Sequence, residues 1–321
     1  HKFKEAFLDP CPSNYEQLSP VSFLKRTSNL FESKPAILYS PTNINLTYIQ
    51  FQKRCSRLAS SLIKEYGVKS GDVVSIMCFN TPPMFEAHFA VPGCRAVLHT
   101  INVRLSPSDI AFQLEHAESK VLLFDIEFSD VIQSTIQMIE PKHRPSLVKI
   151  EDKSFEGKLS HQFLECCNYE DLICRGNPNF ELMLPESEHD AIALCYTSGT
   201  TGNPKGVITH HRGAYLTSLA WQQIWRMDLF PKFLWIVPLF HCNGWCLPWT
   251  MAAQAGLNIC QRHFTGSTLS DDLLNNDVTH MAGAPVIMNM LLSSSQEKKQ
   301  KIKHKQIQTS FLTAGAPPPI P

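Results

Sequence analysis

The 321-residue chain has no net charge, with 29 Lys and Arg against 29 Asp and Glu. That balance excludes a partner captured mainly by electrostatics, so neither nucleic acid nor an acidic membrane surface is expected. No two of the eleven cysteines stand at C-x-x-C spacing. Cys242 and Cys246 beside His241 imitate a metal site, but no second ligand pair stands at a fixed spacing nearby, and no metal site is expected. The odd count and scatter of the cysteines, several inside apolar runs, suit buried free thiols in a reducing compartment. Nothing near the amino end reads as a secretory signal. The chain begins at His1 rather than Met, so an earlier natural start is expected.

Charge is also missing from residues 233–261, a stretch long enough to cross a bilayer. Pro238 and Pro248 interrupt it, and His241-Cys-Asn-Gly244 stands at its middle. A buried strand–turn–helix is expected there, not a transmembrane segment. There is no internal repeat. The P-loop spacing Gly-x4-Gly-Lys-[Ser/Thr] and the dinucleotide spacing Gly-x-Gly-x-x-Gly are both lacking.

What is present is Tyr196-Thr-Ser-Gly-Thr-Thr-Gly-Asn-Pro-Lys-Gly-Val207. From Thr197 to Gly202 every residue is Gly, Ser or Thr, so backbone N–H groups and hydroxyls can approach an anion closely. Lys205 adds a fixed positive charge. The apolar run Ala191–Tyr196 before the loop reads as a buried strand, and Gly213–Trp221 after it reads as a helix. A strand running into such a loop reads as a triphosphate cradle. A plain Ser/Gly linker would not usually end in Pro-Lys-Gly between two apolar elements.

Elsewhere, strands and helices alternate. Ser19 and Pro20 can start a short helix carrying Phe23, Leu24 and Leu30. Ala36–Tyr39 reads as a strand. From Thr47 the positions Phe51, Cys55, Leu58 and Leu62 step at helical spacing until Gly67. Val73–Cys78, Val97–Ile101 and Lys120–Phe124 read as strands, separated by helices starting at Pro83 and Pro107. The first of those helices is expected to run to about Phe89. Ser106, Pro107 and Asp109 give the second a strong start. Residues 149–190 look like surface loops. Lys232–Val237 and Val278–Met281 read as strands and Pro285–Leu292 as a helix. The basic run 297–305 reads as a solvated connector. The fold class is α/β, with doubly wound, largely parallel sheets and helices on both faces.

Three blocks, Tyr196–Val207, Pro238-Leu-Phe-His-Cys-Asn-Gly-Trp245 and Thr313-Ala-Gly-Ala-Pro-Pro318, stand in the order found in the adenylate-forming superfamily. Phe240–Trp245 and Thr100–Leu105 look most like the plant acyl-activating enzymes, which make CoA thioesters of short or medium carboxylic acids. The resemblance runs from about Phe31 to Pro321. It implies that Thr197, Ser198, Gly199, Thr200, Thr201, Gly202 and Lys205 hold the ATP phosphates. By the same likeness His241 lies between the acyl pocket and the α-phosphate, although a core histidine bonded to a backbone carbonyl is the plainer reading of that residue. Asn243, Gly244 and Trp245 would line the acid pocket; Trp245 could equally be plain core. Gly315, Ala316 and Pro317 would pack against adenine. ATP, Mg2+, CoA and a carboxylic acid are the implied ligands. The implied compartment is intracellular, cytoplasmic or peroxisomal.

Two departures limit the likeness. Arg95 stands where such enzymes carry a small residue, so it either disturbs the preceding helix or points outward. The family's later blocks do not occur within residues 1–321: a Tyr-Gly-x-Thr-Glu segment, a ribose-binding Asp, a hinge and a small C-terminal domain with its adenylation Lys. The expectation is therefore a partial AMP-binding N-terminal domain, inactive on its own. A non-catalytic product that keeps nucleotide or partner binding, and an adenylating enzyme with a carrier-protein thiol as acceptor, are the alternatives.

Overall fold

The structure is a computed structural model that describes Cys11 and residues 13–157, 166–197 and 204–313. In chain order, α1 (Val21–Leu30) leads to β1 (Pro35–Tyr39) and β2 (Ile44–Thr47). Next come α2 (Tyr48–Tyr66), β3 (Val73–Met77), α3 (Pro82–Gly93), β4 (Val97–Thr100), α4 (Pro107–His116) and β5 (Ser119–Asp125). They are followed by α5 (Ser129–Met138), β6 (Ser146–Ile150), β7 (Cys167–Asn168), α6 (Tyr169–Arg175) and β8 (Ala191–Tyr196). The remainder is β9 (Gly206–His210), α7 (His211–Ile224), β10 (Lys232–Trp235), α8 (Leu247–Ala253), β11 (Leu257–Ile259), α9 (Gly266–Asn275), β12 (His280–Ala282), α10 (Val286–Leu292), α11 (Gln296–Lys303) and β13 (Ser310–Leu312).

Two sheets form, in the orders β13-β12-β10-β11-β1-β2 and β7-β6-β5-β3-β4-β8-β9. Among the described residues only β1–β2 and β8–β9 pair antiparallel. The doubly wound expectation is met, with helices α2, α3 and α8 packed in the shared core.

Local chemistry explains many boundaries. Thr47 closes a capping box with Gln50, and Gly67 ends α2 in the left-handed conformation at φ 60°. Ser106 caps α4 by accepting from the Asp109 N–H. α3 runs past Phe89 to Gly93 with Pro92 inside it. Pro92 has no N–H for the carbonyl of His88, and Trp249 Nε1 donates to that carbonyl at 2.9 Å instead. The indole thus fills the gap that would otherwise break the helix. Arg95, at φ 61°, occupies the turn position just past α3 where glycine is usual. Its side chain points outward, donating to Leu184 O at 2.7 Å and pairing with Glu186, so the helix is undisturbed.

Several expectations need correction. Residues 149–190 are not only loops. β7 extends the sheet, and α6 buries Tyr169, Leu172 and Ile173. Tyr169 donates to Glu86, which also binds Arg54, at 2.6 Å each. A short helix held by a buried carboxylate leaves little periodicity to read. The basic run is a helix, α11, with no buried residue, so it is solvated as expected but not irregular. Leu30 is 65 % exposed and lies outside the core. The uncharged stretch 233–261 is a strand, a turn and a helix followed by β11, and no described helix is long and apolar enough to cross a membrane.

The core also sets a pH response. Burial holds His88, His99 and His211 down at about 4. Below the ordinary imidazole value of about 6.5 the unfolded chain binds these protons and the folded chain does not, so stability falls as pH falls from 6.5 towards 4. Each site costs roughly 2 kcal/mol by pH 5, at 1.36 kcal/mol per pKa unit. Asp272, raised to about 6 by burial and by Asp271, works the other way and offsets part of the loss. Urea unfolding at pH 7 and pH 5 should therefore show a lower midpoint at pH 5; equal midpoints would mean that these histidines protonate in the folded state.

Candidate active site

The carboxyl ends of parallel strands are where ligands usually meet an open α/β sheet. Here Thr100 at the end of β4 and Cys195 in β8 bond the segment that follows β10, so strand ends of both sheets meet at the His241–Trp245 turn. β8 ends at Tyr196 and turns back as β9, with Tyr196 opposite Gly206. The Thr197 N–H donates to Lys205 O at 3.0 Å, closing the neck of the hairpin. Ser198, Gly199, Thr200, Thr201 and Gly202 lie outside the described residues, as do Gly315, Ala316 and Pro317. Thr313, at the end of β13, is described, and its hydroxyl is buried without a partner among the described residues. Lys205 is exposed, and its ammonium pairs with no described carboxylate. The Tyr196 ring is held between His99 and His116, and its hydroxyl lies 2.7 Å from His116 Nδ1.

β10 delivers the second block. His241 is exposed, so it is not a core histidine, and its ring meets Trp245 edge-on at 5.7 Å. Trp245 is 46 % exposed and is not plain core either. Between them the backbone makes a left-handed turn, since Cys242, Asn243, Gly244, Trp245 and Cys246 all have φ between 44° and 62°. Four of the five carry a side chain, at a cost of roughly 1–2 kcal/mol per residue. Such strain persists only where the surroundings impose it, and it gathers at functional sites.

Asn243 supplies much of that hold. Its buried amide accepts from Cys195 Sγ at 2.5 Å and donates to Thr100 Oγ1 at 3.2 Å, tying the turn to the ends of β8 and β4. Thr100 in turn donates to Phe240 O at 3.0 Å. Gly244 is needed for space as well as φ, because a Cβ there would stand 2.8 Å from Leu239 Cδ2. Asn243 therefore braces the site from within rather than offering its amide to a ligand.

The structure thus places His241, Asn243, Gly244 and Trp245 on one turn bonded to β8, and Thr197 and Lys205 on the hairpin that continues from β8. Sequence reasoning missed the bracing roles of Thr100, Cys195 and Asn80, polar residues at or beyond strand ends: Thr100 heads the Thr100–Leu105 block without a role there, and Cys195 and Asn80 belong to none of the three blocks. Their position after the apolar strands was the available signal. No group of three or more described His, Cys, Asp or Glu side chains could hold a metal ion. A cavity of about 700 Å3, lined by Val21, Lys25, Arg26, Arg95, Leu182 and Tyr215, opens near the amino end of β4 and contains none of these residues.

Comparison with known proteins gives the family and the fold. The family pattern of the AMP-binding enzyme matches residues 24–321. A 2-methylpropanoate–CoA ligase of Humulus lupulus is 40 % identical over 315 residues, 97 % of this chain and 55 % of the ligase. A peroxisomal acetate/butyrate–CoA ligase of Arabidopsis thaliana is 38 % identical over 322 residues, again 97 % and 55 %. A peroxisomal trans-cinnamate:CoA ligase of Petunia hybrida is 36 % identical over 324 residues, with the same coverage. The chain thus spans about half the length of these curated relatives. Among solved structures, the inhibitor-bound N-terminal domain of FACL13 from Mycobacterium tuberculosis superimposes with a TM-score of 0.79 at 20 % identity, over 94 % of this chain and 71 % of that one. ATP-bound MatB from Rhodopseudomonas palustris gives 0.77 at 18 % identity, over 94 % and 55 %. At such identities the structural matches speak for the fold. With the family pattern covering nearly the whole sequence, the chain belongs to the AMP-binding enzyme family.

Proposed function

We propose that the chain is the N-terminal portion of an ATP-dependent CoA ligase for a short- or medium-chain acyl or aryl carboxylic acid, acting through an acyl-adenylate. The observation that carries this reading is Lys205, exposed and its ammonium without a partner among the described residues, at the neck of a Gly/Ser/Thr hairpin and close in sequence to Cys195, which bonds the His241–Trp245 turn.

A carboxylate is a weak electrophile and is repelled by a triphosphate, so positive groups and alignment are both required. Thr197, Ser198, Gly199, Thr200, Thr201, Gly202 and Lys205 hold the β- and γ-phosphates. Mg2+, carried in with ATP, adds charge against the phosphates. His241 stands between acid and α-phosphate. Trp245 and Gly244 bound the acid pocket, with Asn243 bracing them, and Gly315, Ala316 and Pro317 face adenine. The carboxylate oxygen bonds to the α-phosphorus as the bond to the pyrophosphate oxygen breaks. The CoA thiol, losing its proton, then attacks the acyl carbonyl and AMP departs. Relatives named as peroxisomal favour the peroxisome as the compartment.

The test is carboxylate-driven exchange of pyrophosphate into ATP, run on this chain and on a version extended to the length of its relatives. The extended chain should exchange with at least one acid and form a CoA thioester, and the 321-residue chain should do neither. Exchange by the shorter chain would overturn the need for later segments. Silence of the extended chain towards every acid would leave a non-catalytic nucleotide binder. Exchange without thioester would assign a different acceptor.

A further inference from the structure

We propose that Asn80 is a positioning residue for His241, an inference that rests on the ligase reading for its role but not for its test. Asn80 lies between β3 and α3, on the opposite sheet from β10, and is 7 % exposed. Its side-chain amide is spent on one short segment. Nδ2 donates to Trp235 O at 3.3 Å and Val237 O at 3.0 Å, and Oδ1 accepts from the Leu239 N–H at 2.9 Å. The last two bonds straddle Pro238, which has no N–H and cannot continue a strand ladder. Asn80 thus replaces a neighbouring peptide where β10 leaves its sheet.

The chain reaches His241 two residues beyond Leu239, and the His241 N–H donates to Pro238 O at 3.1 Å. Whatever fixes 237–239 therefore fixes the start of the left-handed turn. Among side chains, only a carboxamide offers both donors and an acceptor in one plane here. Asp would accept from Leu239 but could not donate to the two carbonyls, Ala would do neither, and Gln is one methylene longer. Thr100 makes the next attachment, at Phe240 O. From Trp235 to Phe240 the second sheet thus grips the segment at four points.

The experiment is fluorine NMR on the 321-residue chain labelled with 5-fluorotryptophan. Trp245→Phe assigns the Trp245 line, and His241→Ala records where that line falls when the ring contact is lost. Asn80→Ala should move the Trp245 line most of the way to the His241→Ala position, with Asn80→Asp in between. The line of Trp225, whose Nε1 donates to Ser310 Oγ at 2.6 Å outside this segment, should stay in place. Thr27→Val, which removes a buried hydrogen bond to Ala252 O outside this segment, should leave the Trp245 line unmoved. A folded Asn80→Ala chain with an unmoved Trp245 line overturns the proposal. Should Asn80→Ala not fold, Asn80→Asp makes the same comparison, and an unmoved line there overturns it equally. In the extended chain Asn80→Ala should lower kcat for exchange on the order of a hundredfold, the cost of a misplacement of about 1 Å, with KM for ATP unchanged. If the unaltered protein shows no exchange, the ligase reading fails while the fluorine result still decides Asn80.

Discussion

Replacing Arg262 by Ala should destabilise the protein by about 3–5 kcal/mol, the usual cost of leaving buried charge without its partner. The Arg262 side chain is 4 % exposed and Asp125, which it grips through two bonds of 2.6 Å, is fully buried. The guanidinium also reaches Glu127 at 2.8 Å and Asp152 at 3.1 Å, and it packs over the Phe79 ring. Burial pushes the Asp125 carboxyl up, and Arg262 pulls it back. Arg262 follows β11 in one sheet and Asp125 ends β5 in the other, so this cluster fastens the two sheets together. Tyr39 of β1 adds a 2.6 Å bond to Asp152. Without Arg262 three carboxylates on one side of the seam would lose their shared cation. The measurement is urea unfolding of Arg262→Ala and of Arg262→Ala/Asp125→Leu. The double variant should regain part of the loss, because it removes the orphaned carboxylate. A loss below about 1 kcal/mol for the single variant, as at an exposed pair, would contradict this account of the seam.

Lys205→Ala in the extended chain should lower kcat/KM for carboxylate-driven exchange by about a hundred- to a thousandfold, the cost of losing one preorganised group that meets developing charge. Lys205 is exposed, and no described carboxylate pairs with its ammonium. The substitution should therefore leave thermal unfolding within about 0.5 kcal/mol of the original, as surface changes usually do. Lys205→Arg keeps the charge but changes its shape and should recover only part of the rate. Unchanged exchange would remove Lys205 from the site.

Much of the fold is legible in the sequence because local and global signals agree. The Thr47 box, the Gly67 stop and the Ser106 cap each do what their residue types favour. The neck of the Gly/Ser/Thr loop is half legible, since the apolar run Ala191–Tyr196 announces β8, while β9, exposed along its whole length, carries no such signal. The rest depends on contacts between distant residues. α3 outruns its expected end because Trp249, far along the chain, satisfies the carbonyl that Pro92 leaves open. α6 depends on Glu86 receiving Tyr169. The turn at Cys242–Cys246 is half legible: Asn243-Gly244 signals a turn. The positive φ of Cys242, Trp245 and Cys246 comes from the grip of Thr100 and Cys195 on Asn243. Asn80 carries no motif at all, and only its distance from Val237 and Leu239 gives it a role.

The central claim is that the hairpin loop ending at Lys205 receives the phosphates of ATP, and chemical labelling of the 321-residue chain tests it most directly. Lysine acylation can be followed peptide by peptide by mass spectrometry, with and without saturating MgATP. The account predicts that MgATP slows labelling of Lys205 strongly while exposed lysines such as Lys34 and Lys64 react at their former rates. Labelling of Lys205 at the same rate with and without MgATP would contradict it.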